Sequence, residues 1–279
     1  MDFNRELSMT DEAAADLLLA ADWRSTVPVD ATQLRVRYGQ GRNGKYATDV
    51  AVIDLFGLVE HREPTFHPAF SLVEFGQLFR HVVYQRRVDV VILNVDSSGG
   101  EVAGTPEAAA SVFAARDKTR VIAIANGIMK GAAYWLASAA GQVFATPSGD
   151  VGGIGVLYIH EEQSKADAQA GLRRTIIHSA DGKSEGNRFE PLSEAAADRL
   201  RDFTSARYRM MIDDIARHRG TDAATVEHDY GNGRTLAADQ ALAARMIDKV
   251  KTFDELLAEL GVRRLRTPGP AGRGRVGSS

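Results

Sequence analysis

The sequence predicts an α/β fold built as one main domain, and three observations predict it. Residues 88–95 and 120–125 are apolar runs rich in Val and Ile, of the kind that form strands buried on both faces. The stretch before the first run sets Leu72, Phe75, Leu78, Phe79, Val82 and Val83 at helical spacing. Glycine turns stand where these buried strands hand over to the next helix. Strands alternating with helices imply a sheet with right-handed crossovers.

In chain order, Thr10 with Asp11 and Glu12 reads as the N-cap and acidic first turn of a helix over residues 11–21, an appended arm. A polar segment over about 25–48, containing Gly39, Gly41, Asn43 and Gly44, reads as a linker. Residues 50–57 give the first strong strand signal, followed by the helix over 72–84 and the strand over 88–95. Gly99 and Gly100 then break the chain, 101–117 is alanine-rich and helical, and 120–125 is the second buried strand. Residues 131–140 read as a helix, 143–146 as a short strand, 151–159 as a glycine-punctuated strand and 174–177 as one more strand.

After a polar loop over 180–191, Ser193 and Glu194 open a long amphipathic helix to about His218. Its stripe Leu200, Phe203, Tyr208, Met211, Ile212 and Ile215 fits either the domain's own core or a self-assembly face. Shorter helices follow near 223–228, 236–244 and 253–260. Beyond Gly261 the chain is rich in Gly, Pro and Arg and too poor in apolar residues to fold, which reads as a solvated tail. The organisation expected is an arm and linker over 1–47, the main domain over 48–262 and a disordered basic tail over 263–279.

With 44% hydrophobic and 25% charged residues, the 279-residue chain has material for a full core. A net charge of -3 gives no global electrostatic reason to expect nucleic acid or an anionic membrane as partner. The lack of cysteine excludes disulfides and thiolate chemistry, and the seven histidines form no close ligand pair, so neither a metal nor a cofactor is expected. Asp2, Glu6, Asp11, Glu12 and Asp16 interrupt the first residues, which therefore do not read as a secretion signal. No apolar run approaches the length of a membrane span, so the expected location is cytoplasmic.

Two turns have the chemistry of a site. Asp96 to Glu101 (Asp-Ser-Ser-Gly-Gly-Glu) follows a buried strand, and its paired glycines allow a tight backbone with N–H groups turned outward, able to stabilise an oxyanion. Asn126 to Trp135 (Asn-Gly-Ile-Met-Lys-Gly-Ala-Ala-Tyr-Trp) follows the next strand and sets small residues at a helix N-terminus, where free N–H groups face a ligand. Taken alone, each reads more readily as a close-packed turn.

Taken together, these segments resemble the S49 serine peptidases, the family of signal peptide peptidase A and of phage head maturation proteases. Asp-Ser-Ser-Gly-Gly is similar to that family's Ser-Pro-Gly-Gly turn, and residues 126–138 resemble its nucleophile segment. Residues 146–156 resemble the strand that follows, and 182–193 the loop bearing its catalytic lysine. The resemblance spans roughly 50–250 and implies the ClpP/crotonase-like fold of repeated strand-strand-helix units, with late helices mediating homo-oligomerisation. It also implies a Ser/Lys dyad, in which a neutral lysine takes the proton of a serine that attacks a peptide carbonyl. Lys183 matches the general base, while Gly99 or Gly100 and Ala132 match the oxyanion hole.

The chain departs from the pattern at two places. The nucleophilic serine falls on Gly131, which has no side chain, and Gly153 stands where the family commonly has a serine supporting the lysine. Ser138, two turns into the helix, is a poor substitute, and Ser97 and Ser98 sit on the turn expected to supply the oxyanion hole. The expectation is an S49-type endopeptidase of the phage capsid-maturation branch, inactive as written, in the host cytoplasm or the procapsid. Its partners would be a peptide, capsid or scaffold protein and further copies of itself, with no nucleic acid and no membrane anchor. The alternatives are a non-catalytic capsid assembly or scaffold protein on the same fold, and a crotonase-like acyl-thioester enzyme, which needs oxyanion N–H groups but no serine.

Overall fold

The apolar runs align side by side as the parallel centre of a nine-stranded sheet: β3 (Tyr46–Phe56), β6 (Val90–Ser97) and β8 (Arg120–Lys130). The computed structural model describes residues 6–9, 34–43, 46–62 and 68–267, so the helix expected over 11–21 and the end of the tail lie outside the described residues. Alternate residues of these strands feed two cores. Ala51, Ile53, Leu55, Val91, Leu93, Val95, Val121, Ala123 and Ala125 face one, while Val50, Val52, Val90, Ile92, Ile122 and Ile124 face the other. A strand covered on both faces has no polar side to show, which explains the nearly continuous apolar runs; the exceptions, Asp54 and Asn94, are buried and bonded to each other, Asn94 Nδ2 donating to Asp54 Oδ1 (2.7 Å).

The first core is closed by α1 (Leu72–Arg80), α2 (Thr105–Ala114), α3 (Ala132–Ser138) and the second half of α5 (Glu194–Arg219). The second is closed by Leu256 and Leu260 of the segment containing α8 (Phe253–Glu259), with Val262. On one side of the centre, β2 (Leu34–Asn43) pairs antiparallel with β3 and carries β14 (Leu265–Arg266). On the other, β10 (Asp150–Gly152) runs parallel to β8 and carries β12 (Thr235–Ala237), while β9 (Gln142–Ala145) also joins β8 and carries β13 (Lys249–Val250).

A second, five-stranded sheet is made of short pieces in the order β11-β1-β7-β4-β5: β1 (Glu6–Met9), β4 (Leu58–Glu60), β5 (Ala69–Ser71), β7 (Gly99–Glu101) and β11 (Leu157–Tyr158). The remaining helices are α4 (Ser164–Gln169), α6 (Ala223–Asp229) and α7 (Ala238–Ala243).

Four local expectations change. The polar segment read as a linker contains the ten-residue strand β2, whose Leu34, Val36 and Tyr38 alternate onto the core. Its glycines mark close packing rather than looseness: a Cβ on Gly41 would lie 1.9 Å from Leu260 O, and one on Gly39 2.6 Å from Val262 Cγ1. Gly41→Ala is therefore expected to cost about 2–3 kcal/mol, because a backbone carbonyl cannot step aside; urea unfolding measures it. The segment read as tail stays in the sheet through Arg266, paired with Tyr38. Residues 174–177 form no strand, and Ile177 is 94% exposed with no sheet edge to join. Of 151–159, only the two ends pair.

The stripe on α5 divides. Met211, Ile212 and Ile215 are buried in the domain, whereas Phe203 stays exposed. Arg116 ties this helix to α3: its guanidinium donates to the carbonyls of Ser138, Ala139 and Ala140 (3.2, 2.7 and 2.5 Å) and of His218 (3.1 Å). These carbonyls lie at or beside helix C-termini, where intrahelical donors run out. Arg116→Ala is expected to destabilise the fold by about 3 kcal/mol in a urea titration, as several part-buried acceptors lose a charged donor.

Candidate active site

The sharpest backbone feature is the turn from β8 into α3. Gly131 adopts φ 53° and ψ -125°, a region essentially closed to residues with a Cβ. Its N–H donates to Gly152 O (2.8 Å), and its own carbonyl accepts from Trp135 N (3.0 Å). No side chain caps α3, so the first N–H groups of the helix, beginning with Ala132, point past Gly131 without intrahelical acceptors. The helix itself is pinned by Tyr134 Oη donating to Met246 O (2.9 Å) and Trp135 Nε1 donating to Asp214 Oδ2 (3.0 Å). Burial pushes the Tyr134 phenol well above its usual range, so it acts as a neutral donor.

Beside this elbow lies the turn from β6 into β7. The register between β6 and β8 slips here: Val95 faces Ala125, but Ser97 faces Met129. Asp96 organises the slip. Its Oδ1 accepts from Ile128 N (3.1 Å), and the neighbouring Gly127 adopts φ 142°, a backbone conformation that residues with a Cβ rarely take. This bulge carries β8 on past the end of the apolar run, to Lys130. Gly100 passes so close to β4 that a Cβ would meet Val59 O at 2.1 Å.

Five of the six residues singled out in the sequence thus converge. Gly99 and Gly100 follow Ser97, which faces Met129; Gly131 and Ala132 form the elbow; and Gly153 follows the residue whose carbonyl holds Gly131. They gather at the carboxyl ends of β6, β8 and β10, where open α/β sheets place their ligands. Lys183 ends a single 3-10 turn (Asp181–Lys183), and its side chain is exposed. That loop rests on the segment after β11, with Asn187 O meeting His160 Nε2 (3.1 Å) and Arg188 O accepting from Gln163 N (2.8 Å).

Geometry ties up two of the three substitute serines, Ser138 and Ser97. Ser138 is fully buried and donates its single hydroxyl proton to Trp135 O (2.7 Å), so it accepts from Nδ1–H of His218 (3.0 Å). A general base would have to receive that proton instead. Ser97 is also buried, with Oγ accepting from Gly99 N (3.3 Å). Sequence reasoning missed Asp96 as organiser of the bulge, and it missed the Ser138–His218 pair, whose members stand 80 residues apart. Among the described residues, no cluster of three His, Asp or Glu side chains could hold a metal.

Residues 114–264, more than half of the chain, match the family model for peptidase family S49. The chain belongs to peptidase family S49. Its mixed α/β architecture is the ClpP-like fold of that family. This S49 chain is similar to capsid assembly protease C of Escherichia phage lambda, with 25% identity over 268 residues, 94% of this chain and 60% of the relative. It is also similar to head-tail preconnector protein GP5 of Enterobacteria phage P21, with 28% identity over 214 residues, 73% of this chain and 43% of the relative. The S49 chain spans about half the length of these curated relatives. Among its described residues, no helix is long and apolar enough to cross a membrane.

Proposed function

We propose that the chain carries an S49-type Ser/Lys peptidase site in a capsid-assembly setting, and that Gly131 withholds the nucleophile, so the protein as written binds an extended peptide without cleaving it. The observation that carries this reading is the Gly131 backbone, a positive-φ elbow between a buried strand and a helix, set beside a double-glycine turn. Elbows of this kind hold a nucleophile clear of its own strand with free amides around it. On this plan a serine at 131 would attack the peptide carbonyl, Lys183 would take its proton, and the N–H groups of Gly99 or Gly100 and Ala132 would hold the oxyanion.

A lysine base works in a desolvated setting, so on this plan something must cover the exposed Lys183 side chain. A bound peptide or a second copy of the chain would do so, and exposed Phe203, Met210, Leu172 and Ile177 supply apolar surface for self-association. The names of the two phage relatives support a capsid or scaffold protein as partner, and with it the host cytoplasm or the procapsid as the place of action. An assembly role without catalysis is the second reading, favoured by the missing side chain at 131. Membership of a peptidase family removes the reason for the acyl-thioester reading.

The test is casein hydrolysis by Gly131→Ser and by Gly131→Ser with Lys183→Ala. Activity that appears in the first and disappears in the second supports the dyad. Equal activity in both would assign the base elsewhere, and none in either would favour the assembly role.

A further inference from the structure

β1 occupies an unusual place. It lies antiparallel to β7, with Leu7 facing Glu101, Ser8 facing Gly100 and Met9 facing Gly99. Its other edge lies antiparallel to β11, with Glu6 facing Tyr158 and Leu7 facing Leu157. β7 is the candidate oxyanion turn itself. β11 follows Gly153 by a few residues, and the segment after it, through His160 and Gln163, holds the loop that carries Lys183. β1 also packs against α3, which opens at the elbow. Residues 6–9 therefore lie between the two walls of the proposed site.

The far edge of β7 is already taken by β4, through Val59 and Gly100. Taking β1 away would leave β7 and β11 facing each other across a gap two strand spacings wide, roughly 10 Å between strand axes. Two open edges at that distance accept one extended chain, hydrogen-bonded on both sides through its backbone. Backbone pairing of this kind does not depend on the identity of the side chains. A peptide threading the site and the chain's own residues 6–9 would thus compete for one slot. The chain's own segment has the advantage of tethering, an effective concentration on the order of millimolar.

We propose that Glu6–Met9 is an intramolecular plug: β7 and β11 form a strand-accepting groove for an extended peptide, and the chain's own N-terminal strand fills it until a peptide displaces it. The link to catalysis rests on the peptidase reading above, but the binding does not, because it needs no nucleophile.

The experiment uses the full chain and a fluorescein-labelled peptide copying residues 4–11, followed by anisotropy. Adjacent residues of a strand send their N–H groups to opposite edges, so Leu7→Pro with Ser8→Pro removes a donor on each side of β1. The double variant is expected to bind the peptide at least about tenfold more tightly than the unchanged chain, since the tethered competitor is weakened. Equal affinity within twofold, or no binding by either, overturns the plug.

Hydrogen exchange on the unchanged chain decides independently of how the variant folds. The amides of residues 7–9 are expected to be protected, and exchange at free-chain rates would overturn the proposal. An inert Gly131→Ser with the tenfold shift intact would sink the peptidase reading and keep the plug. A Gly131→Ser chain that cleaves equally fast with and without the two prolines would do the reverse.

Discussion

Gly131→Ser is expected to raise hydrolysis of an unfolded protein on the order of 10²-fold or more above the unchanged chain, since removing a nucleophile from such sites costs several orders of magnitude. The same substitution is expected to lower stability. At φ 53° and ψ -125° a residue with a Cβ carries about 1–3 kcal/mol of backbone strain, and the surroundings hold Gly131 there through Gly152 O and Trp135 N. Activity and stability should therefore move in opposite directions, as they do where strain is stored for function. Gly131→Ala supplies the control, because it adds the Cβ and its strain without the hydroxyl. It should lose comparable stability in urea and gain no activity. If serine and alanine at 131 give the same hydrolysis, the elbow does not present a nucleophile. If the unchanged chain already hydrolyses casein as fast as the serine variant, the reactive group lies elsewhere.

The parallel centre of the fold was legible because burial on both faces leaves nearly continuous apolar runs, as at 90–93 and 121–125. The glycine turns were legible as punctuation, and the turns carrying five of the six candidate positions lie at neighbouring strand ends. What local pattern misled was the meaning of glycine and polarity in β2. Gly39 and Gly41 look like a linker, yet they are small because residues 260–262 press against them from more than 200 positions away. Such close approach is a tertiary fact with no local signature. Residues 174–177 failed the other way: their β-branched content is real, but no sheet edge is near to pair with. The short strands β1 and β7 were equally hidden, because three or four residues carry no period and gain their form only from their neighbours. Lys183 was singled out only by its motif, and its exposure could not be read there, since burial depends on what the loop rests against.

The Ser138–His218 pair leads to a second large effect, on acid stability. His218 is nearly fully buried. Burial first, then the positive charges of Arg217, Arg116 and Arg219, lower its pKa to about 3. Its neutral form is the one the fold accommodates: Nδ1–H goes to Ser138 Oγ, and Nε2 is buried without a partner. In the unfolded chain the same histidine takes up its proton near pH 6.5. Between that value and about 3, the unfolded state binds a proton that the folded state refuses, so stability rises with pH and falls as the solution is acidified. The loss is about 1.4 kcal/mol per pH unit below 6.5, or about 2 kcal/mol by pH 5. The depressed carboxyls of Asp222, Glu255 and Glu259 act in the same direction but only at lower pH, where unfolded carboxylates take up protons, so the window from 6.5 to 5 isolates the histidine. Urea titrations at pH 7, 6 and 5 on the unchanged chain and on His218→Asn test this. Asparagine keeps a donor toward Ser138 Oγ and does not titrate, so the variant should start less stable, having lost the ring packed 5.1 Å from Phe113, and then stay level. Parallel slopes in the two proteins would mean that His218 accepts its proton in the folded state, and that the three arginines around it do not keep it neutral.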